Sequence, residues 1–297
     1  MPADVSVRAR ALDGDDLRAA LVAASRLLER YRTSINALNV FPVPDGDTGT
    51  NLHLTMRDVC TELERCRASG VGEVAAAAAR AALRGSRGNS GVILAQYLGG
   101  LGHGLAGKAS ASGRELAAAL EGAGRAAYQA VSRPVEGTML TVAREAAAAA
   151  QARAQGADAD AVAVLEAALE GAQEALRRTP ELLPVLRDAG VVDAGGQGLV
   201  VLLEGVVRTL QGQDVDQVEV ELASPAPQGA LPQVSEEYLR QVEGETYGYC
   251  TQFLLRGRDP ATGAERALDV EALRQRLETM ADSTVVVGDP SLVKVHL

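Results

Sequence analysis

Through most of the first 210 positions, apolar residues recur at steps of three and four. Leu17, Leu21, Ala24, Leu28, Tyr31 and Ile35 fall on one stripe, which predicts an amphipathic helix over 13–38. Asp13, Asp15 and Asp16 supply its cap and an acidic first turn. Leu52, Met56, Val59 and Leu63 repeat the pattern and predict a second helix from residue 50 or 51 to 67. Further helices are predicted over 72–83, from 92 onward, and over 112–131, 137–155, 158–178, 180–188 and 199–210. After residue 213 the period changes. Alternation predicts strands over 247–255, 284–287 and 292–296, with a helix over 270–280 between the first two. The intervening acidic, Pro- and Gly-containing stretch reads as a linker with room for one short strand. The expected architecture is mainly α: antiparallel helices whose loops form one mouth, followed by a smaller α/β unit. The boundaries fall at 10–212 for the helical domain, 213–233 for the linker and 234–297 for the second domain.

The breaks in the helical pattern carry the chemistry. Residues 39–51 read Asn-Val-Phe-Pro-Val-Pro-Asp-Gly-Asp-Thr-Gly-Thr-Asn. Pro42 and Pro44 exclude a helix there, and Gly46 and Gly49 free the backbone to turn. Asp45 and Asp47 lie two apart, with no Lys or Arg between Thr33 and Met56. Carboxylates held that close repel unless a cation joins them, and Mg²⁺ is the natural one, since it pairs carboxylates with substrate phosphates. Asp-Gly-Asp alone is also an ordinary surface turn; the flanking Pro pair and Thr-Gly-Thr-Asn favour the metal. Residues 84–91, Arg-Gly-Ser-Arg-Gly-Asn-Ser-Gly, form a second small-residue turn leading into a helix. That is a general anion-binding arrangement, without the Lys of a P-loop. Thr138 sits at a helix start, and 188–198 make a further glycine-rich turn before a helix.

The whole chain is Ala-rich, with 47% hydrophobic residues, two Phe and no Trp, and Ala lets helices form and approach closely. A net charge of −10 argues against nucleic acid as a partner. Any anionic ligand must therefore be attracted locally, by metal and helix N-termini. Three cysteines, Cys60, Cys66 and Cys250, make no disulfide framework. No apolar run approaches about 18 residues, so no membrane span is expected, and a cytoplasmic location is. Cys250 and His296 are chemically a sensible zinc pair, although a zinc site needs three or four ligands; a buried Cys and a strand His without metal is the alternative.

Residues 39–51 resemble the metal loop of the nucleotide-binding L-domain of the dihydroxyacetone kinase family, in the version carried by the ATP-binding subunit of bacterial fatty acid kinase. Asn39 stands where the wider family has an acidic residue, and Thr48 replaces its His. The resemblance covers about residues 10–212 and implies an eight-helix barrel with nucleotide and Mg²⁺ at one rim. It assigns Asp45 and Asp47 as catalytic Mg²⁺ ligands, with Asn39 as a third candidate. It places Thr48, Asn51, Asn89, Ser90 and Gly91 toward the phosphates of ATP or ADP, Thr138 and Met139 beside the adenine, and Asp193, Gly195 and Gly196 closing over the nucleotide. It further implies a homodimer, a fatty-acid-carrying partner protein, and Cys250 and His296 as two of three metal ligands, the third falling beyond Leu297. A chain ending inside a predicted strand is expected to be a fragment of a longer protein. The activity implied is transfer of the ATP γ-phosphoryl to a fatty acid carboxylate. The alternatives are a dihydroxyacetone kinase nucleotide domain and a non-catalytic nucleotide-binding scaffold.

Overall fold

The computed structural model describes residues 11–156, 159–223, 251–259, 262, 264–280 and 284–296. The first predicted stripe becomes α1 (Gly14–Asn36), with Leu17, Leu21, Ala24, Leu28, Tyr31 and Ile35 all buried. It is followed by α2 (Thr48–Arg65), α3 (Val71–Gly85), α4 (Gly88–Gly104), α5 (Gly113–Ala130), α6 (Met139–Ala154) and α7 (Ala161–Arg177). Pro184 divides the segment predicted over 180–188 into α8 (Thr179–Leu182) and α9 (Pro184–Ala189), and α10 (Ala194–Leu210) completes the series. Two unpredicted three-residue strands, β1 (Ala11–Asp13) and β2 (Ser110–Ser112), pair antiparallel. Each delivers its last residue as the N-cap of the next helix, and both caps are reciprocal boxes, Asp13 with Asp16 and Ser112 with Glu115.

Each long helix packs on the next, α1 on α2 through to α7 on α10, and α10 returns to α1. Contacts among these eight helices thus close into a ring. The approaches are close because Gly and Ala line them. A Cβ on Gly205 of α10 would lie 2.5 Å from Ala24 Cα of α1, and one on Gly100 of α4 would lie 2.6 Å from Ala123 Cα of α5.

Three helix starts differ from expectation, each for a local reason. α2 begins at Thr48 because the Asn36 and Asn39 side chains at the end of α1 accept the Thr50 and Thr48 N–H groups, each at 3.0 Å. α4 begins at Gly88, so Asn89, Ser90 and Gly91 form its first turn. α10 begins at Ala194 because Asp193 caps it through Gly196 N at 2.7 Å. The strand allowed for after residue 213 is absent among the described residues. A 3₁₀ turn (Val215–Gln217) stands there instead. Residues 214–223 are held along α1 and α10: Val220 N donates to Tyr31 Oη at 2.7 Å, Arg30 reaches the Asp216 carbonyl at 2.8 Å, and Ala223 N meets Gln197 Oε1 at 3.1 Å.

The second unit contains β3 (Gln252–Leu255), α11 (Val270–Glu278), β4 (Val285–Asp289) and β5 (Leu292–His296), in an antiparallel sheet of order β3-β5-β4. The part of the first predicted strand over 247–250 lies outside the described residues. Strand alternation gives the sheet two apolar faces. Val286, Val293 and Val295 pack with Leu273 and Leu277 of α11. Val285 and Val287 pack with Val92 of α4, Ala130 of α5 and Leu83 of α3.

Two glycine substitutions should change stability in opposite directions. Gly205→Ala forces a methyl against the α1 backbone and should cost about 1–3 kcal/mol by overpacking. Gly122→Ala in α5, where the nearest atom lies at 3.6 Å, should gain roughly 0.5–1 kcal/mol from helix propensity. Urea denaturation of both variants checks the pair.

Candidate nucleotide cleft at one rim of the helix ring

In a ring whose helices run alternately up and down, every second helix starts at the same rim. Here the four that do so are α2, α4, α6 and α10, and their first turns line one cleft of about 170 Å³. Thr48 comes from α2, Asn89 and Ser90 from α4, Met139 and Leu140 from α6, and Gly195 from α10, with the caps Thr138 and Asp193. The cleft therefore gathers Thr48, Asn89, Ser90, Thr138, Met139, Asp193 and Gly195 of the residues expected to contact nucleotide. Asn51, Gly91 and Gly196 stand just behind the wall. A Cβ on Gly88, whose φ is +56°, would lie 2.3 Å from Asn51 Nδ2; on Gly91, 2.5 Å from Thr55 Oγ1; and on Gly196, 2.8 Å from Val142 Cγ2.

The loop before α2 flanks this cleft. Phe41 and Pro42 line it, the chain turns through Gly46 at φ +67°, and Thr48 lines it again. Asp45 and Asp47 lie on the loop between those two points. Asp47 is the N-cap residue of α2, yet its carboxylate does not cap the helix. Burial first, and then the Asp47 charge, push the half-buried Asp45 carboxyl up to about 6. Two neighbouring carboxylates that share their proton in this way suit a cation between them. Asn39 does a different job here. Its Oδ1 accepts from both the amide and the hydroxyl of Thr48, and its Nδ2 donates to the Val43 carbonyl at 2.7 Å. Both lone pairs of the amide oxygen are thus engaged in bracing the loop. Among the described residues, no group of three or more His, Cys, Asp or Glu clusters as a metal site.

The four helix starts differ in what they leave for a ligand. Asp193 is buried and takes backbone hydrogen bonds from Gly196, Met139 and Gly195, the last two at the starts of α6 and α10. Burial outweighs those bonds and pushes its carboxyl up to about 6. Thr138 Oγ1 caps α6 through Leu140 N, and Asn36 and Asn39 serve α2. α4 has no such provision: its N-cap residue, Arg87, makes no side-chain cap. Asn89 Oδ1 on the same turn is buried without a hydrogen-bond partner. Such groups commonly mark a missing ligand or water, and an amide presents donor or acceptor by a half-turn. The first turn of α4 is therefore the best anion site of the four.

The remaining wall is apolar, made by Phe41, Ile93, Val131, Val135 and Met139. Sequence reasoning missed most of it. Phe41 was legible as one of only two Phe in the chain; Ile93 and Val131 look like any other helix residue. It also missed Thr55, whose hydroxyl donates to the Asn51 carbonyl at 2.8 Å and accepts from Arg87 N at 3.2 Å, tying α2 to the 84–91 turn. Arg84 and Arg87 turn toward α2, pairing with Glu62 at 3.2 Å and Asp58 at 3.8 Å. His53 is buried, and burial lowers its pKa, in keeping with a structural role. Cys250 lies outside the described residues. His296 is buried on β5, its Nδ1 2.6 Å from Gln252 Nε2.

Comparison with known proteins agrees with this geometry. Residues 42–208 match the DAK2 domain, and residues 246–297 match the middle domain of the FakA-like fatty acid kinase family. Protein YloV of Bacillus subtilis is 40% identical over 97% of this chain and 51% of its own length. An uncharacterized protein of Staphylococcus haemolyticus is 36% identical over 93% of this chain and 49% of its own. The chain thus spans about half the length of the curated relatives it matches. Among solved structures, the dihydroxyacetone kinase of C. freundii (native form) matches with a TM-score of 0.48 at 19% identity, over 65% of this chain and 34% of that one. With its helical ring matched from the loop before α2 to the last helix, the chain belongs to the DAK2 domain family and carries a middle domain of the FakA-like fatty acid kinase type.

Proposed function

We propose that this chain is the nucleotide-binding part of a kinase that passes the γ-phosphoryl group of Mg-ATP to a fatty acid carboxylate held by a separate carrier protein, giving an acyl phosphate. The observation that carries the nucleotide half of this reading is the convergence of four helix N-termini on one cleft beside an unneutralised Asp pair. The protein's net charge of −10 repels a nucleotide at long range, so the local helix dipoles and a bound cation must reverse that sign at the site. The apolar wall near Met139 suits a purine face, and the first turn of α4 suits phosphate oxygens. The fatty acid half rests on the matched middle domain and on Thr48 standing in place of His.

Asp45 and Asp47 would hold Mg²⁺, which when bound neutralises phosphate charge and orients the transferring group. Asn39 holds the loop that presents the two carboxylates. Asn89 and Ser90 bind and orient phosphate oxygens. Asp193 locks the starts of α6 and α10 together, which fixes the wall that carries Thr138 and Met139. No general base is needed for a carboxylate acceptor, which is already ionised near neutral pH.

Two measurements check the reading. In calorimetric titration, wild type should bind ATP only with Mg²⁺, and Asp45→Ala/Asp47→Ala should lose at least about tenfold in affinity. Equal binding by both proteins would reject the Asp pair as the metal site. Acyl phosphate should form only when a fatty-acid-loaded carrier protein is added. The Asp pair also predicts a pH signature. Asp45, raised above its ordinary 3.8, holds an extra proton in the folded state up to about 6, so metal-free stability should fall as pH rises through that window. Asp45→Asn should melt roughly 2–4 °C higher than wild type in metal-free buffer near pH 7.5. It should also lack the Mg²⁺-induced rise in Tm that wild type shows there and loses near pH 5.

A further inference from the structure

The β4–β5 hairpin of the second unit reaches the nucleotide cleft of the first. Thr284 and Val285 line the same cleft as Ser90 and Met139. The antiparallel register sets Val287 beside Lys294 and Val285 beside His296, so these four side chains share the sheet face turned to the helical ring. Lys294 is 4% exposed, and its ammonium donates to the carbonyl of Ser86. Ser86 is itself fully buried and opens the turn into α4, two residues before Gly88. The hairpin therefore touches the cleft twice, along its wall and behind its anion-binding turn.

The seam that holds it is light. Val285 and Val287 against Val92, Ala130 and Leu83 supply the apolar part, and one ammonium-to-carbonyl bond supplies the polar part. It is also short of negative charge: Lys294 and Arg87 both lie near Asp58, the one anion that acts on Lys294. A phosphate group on the first turn of α4 would add the missing charge. A nucleotide beneath Thr284 and Val285 would add contacts as well.

We propose that the β4–β5 hairpin is a lid over the nucleotide cleft, with Lys294 as its latch on the phosphate turn, so that docking of the second unit and retention of nucleotide are one linked equilibrium. Lys294 is a positioning residue, acting through Ser86. This rests on the cleft being a nucleotide site. Linkage is reciprocal: closing the lid slows nucleotide release, and bound nucleotide holds the lid shut.

The test uses the full 297-residue chain with Mg-ADP as the probe. Hydrogen exchange of wild type should slow across 285–296 when Mg-ADP is added, a result that needs no variant. Lys294→Met, close in shape but without charge, should weaken Mg-ADP binding by roughly tenfold, with the change carried by the dissociation rate in stopped-flow measurements. Lys294→Arg, which keeps a donor for Ser86, should recover most of that loss. If wild type binds Mg-ADP but exchange over 285–296 is unchanged, or Lys294→Met releases ADP at the wild-type rate, the lid is overturned and the nucleotide site stands. If wild type binds no nucleotide while folded, the site reading falls and takes the lid with it.

Discussion

Each α-helix leaves its first four N–H groups without partners inside the helix, and in this protein α2, α4, α6 and α10 all begin on one cleft. The arrangement follows from closing an up-and-down ring of eight helices, which collects every second N-terminus at one rim. The resulting partial positive charge would be costly if it stayed unmet. Asp193 answers it for α6 and α10, and Asn36 and Asn39 answer it for α2. Only the first turn of α4 is left without a side-chain cap. The fold thus builds an anion site and then narrows it to one turn by satisfying the other three.

The same geometry explains the small residues. Gly88, Gly91, Gly195 and Gly196 sit where a Cβ would meet a neighbouring helix start within about 3.1 Å or less. In the sequence they look like flexible turns, but in the structure they belong to first turns of helices packed too closely for side chains. Flexibility is not their use; proximity is. Asn39 and Asn36 make the complementary point: polar side chains at the end of one helix serve as caps for the next, across a loop of eleven residues, 37–47.

Much of the fold was legible from period alone. The α1 stripe was correct at every residue, since a 3.6-residue repeat and burial on one face are the same fact in sequence and in space. Helix starts were harder. α2, α4 and α10 each begin two or more residues earlier than the apolar pattern does, because caps and glycine packing, not hydrophobicity, decide a first turn. The motif residues Thr48, Asn89, Ser90, Thr138, Met139 and Asp193 could be picked out by resemblance, and the cleft brings them together. Its apolar lining could not, because Ile93 and Val131 carry no local signature. Nor could the contact of Lys294 with Ser86, which spans 208 positions and depends on how a strand of one unit meets a turn of the other.

A crystal structure grown with Mg²⁺ and a non-hydrolysable ATP analogue tests the central claim most directly. The account predicts metal density between Asp45 and Asp47, phosphate oxygens against Ser90 at the first turn of α4, and the base beside Met139. A nucleotide bound away from this cleft, or an Asp pair left without metal while nucleotide is bound, would contradict it.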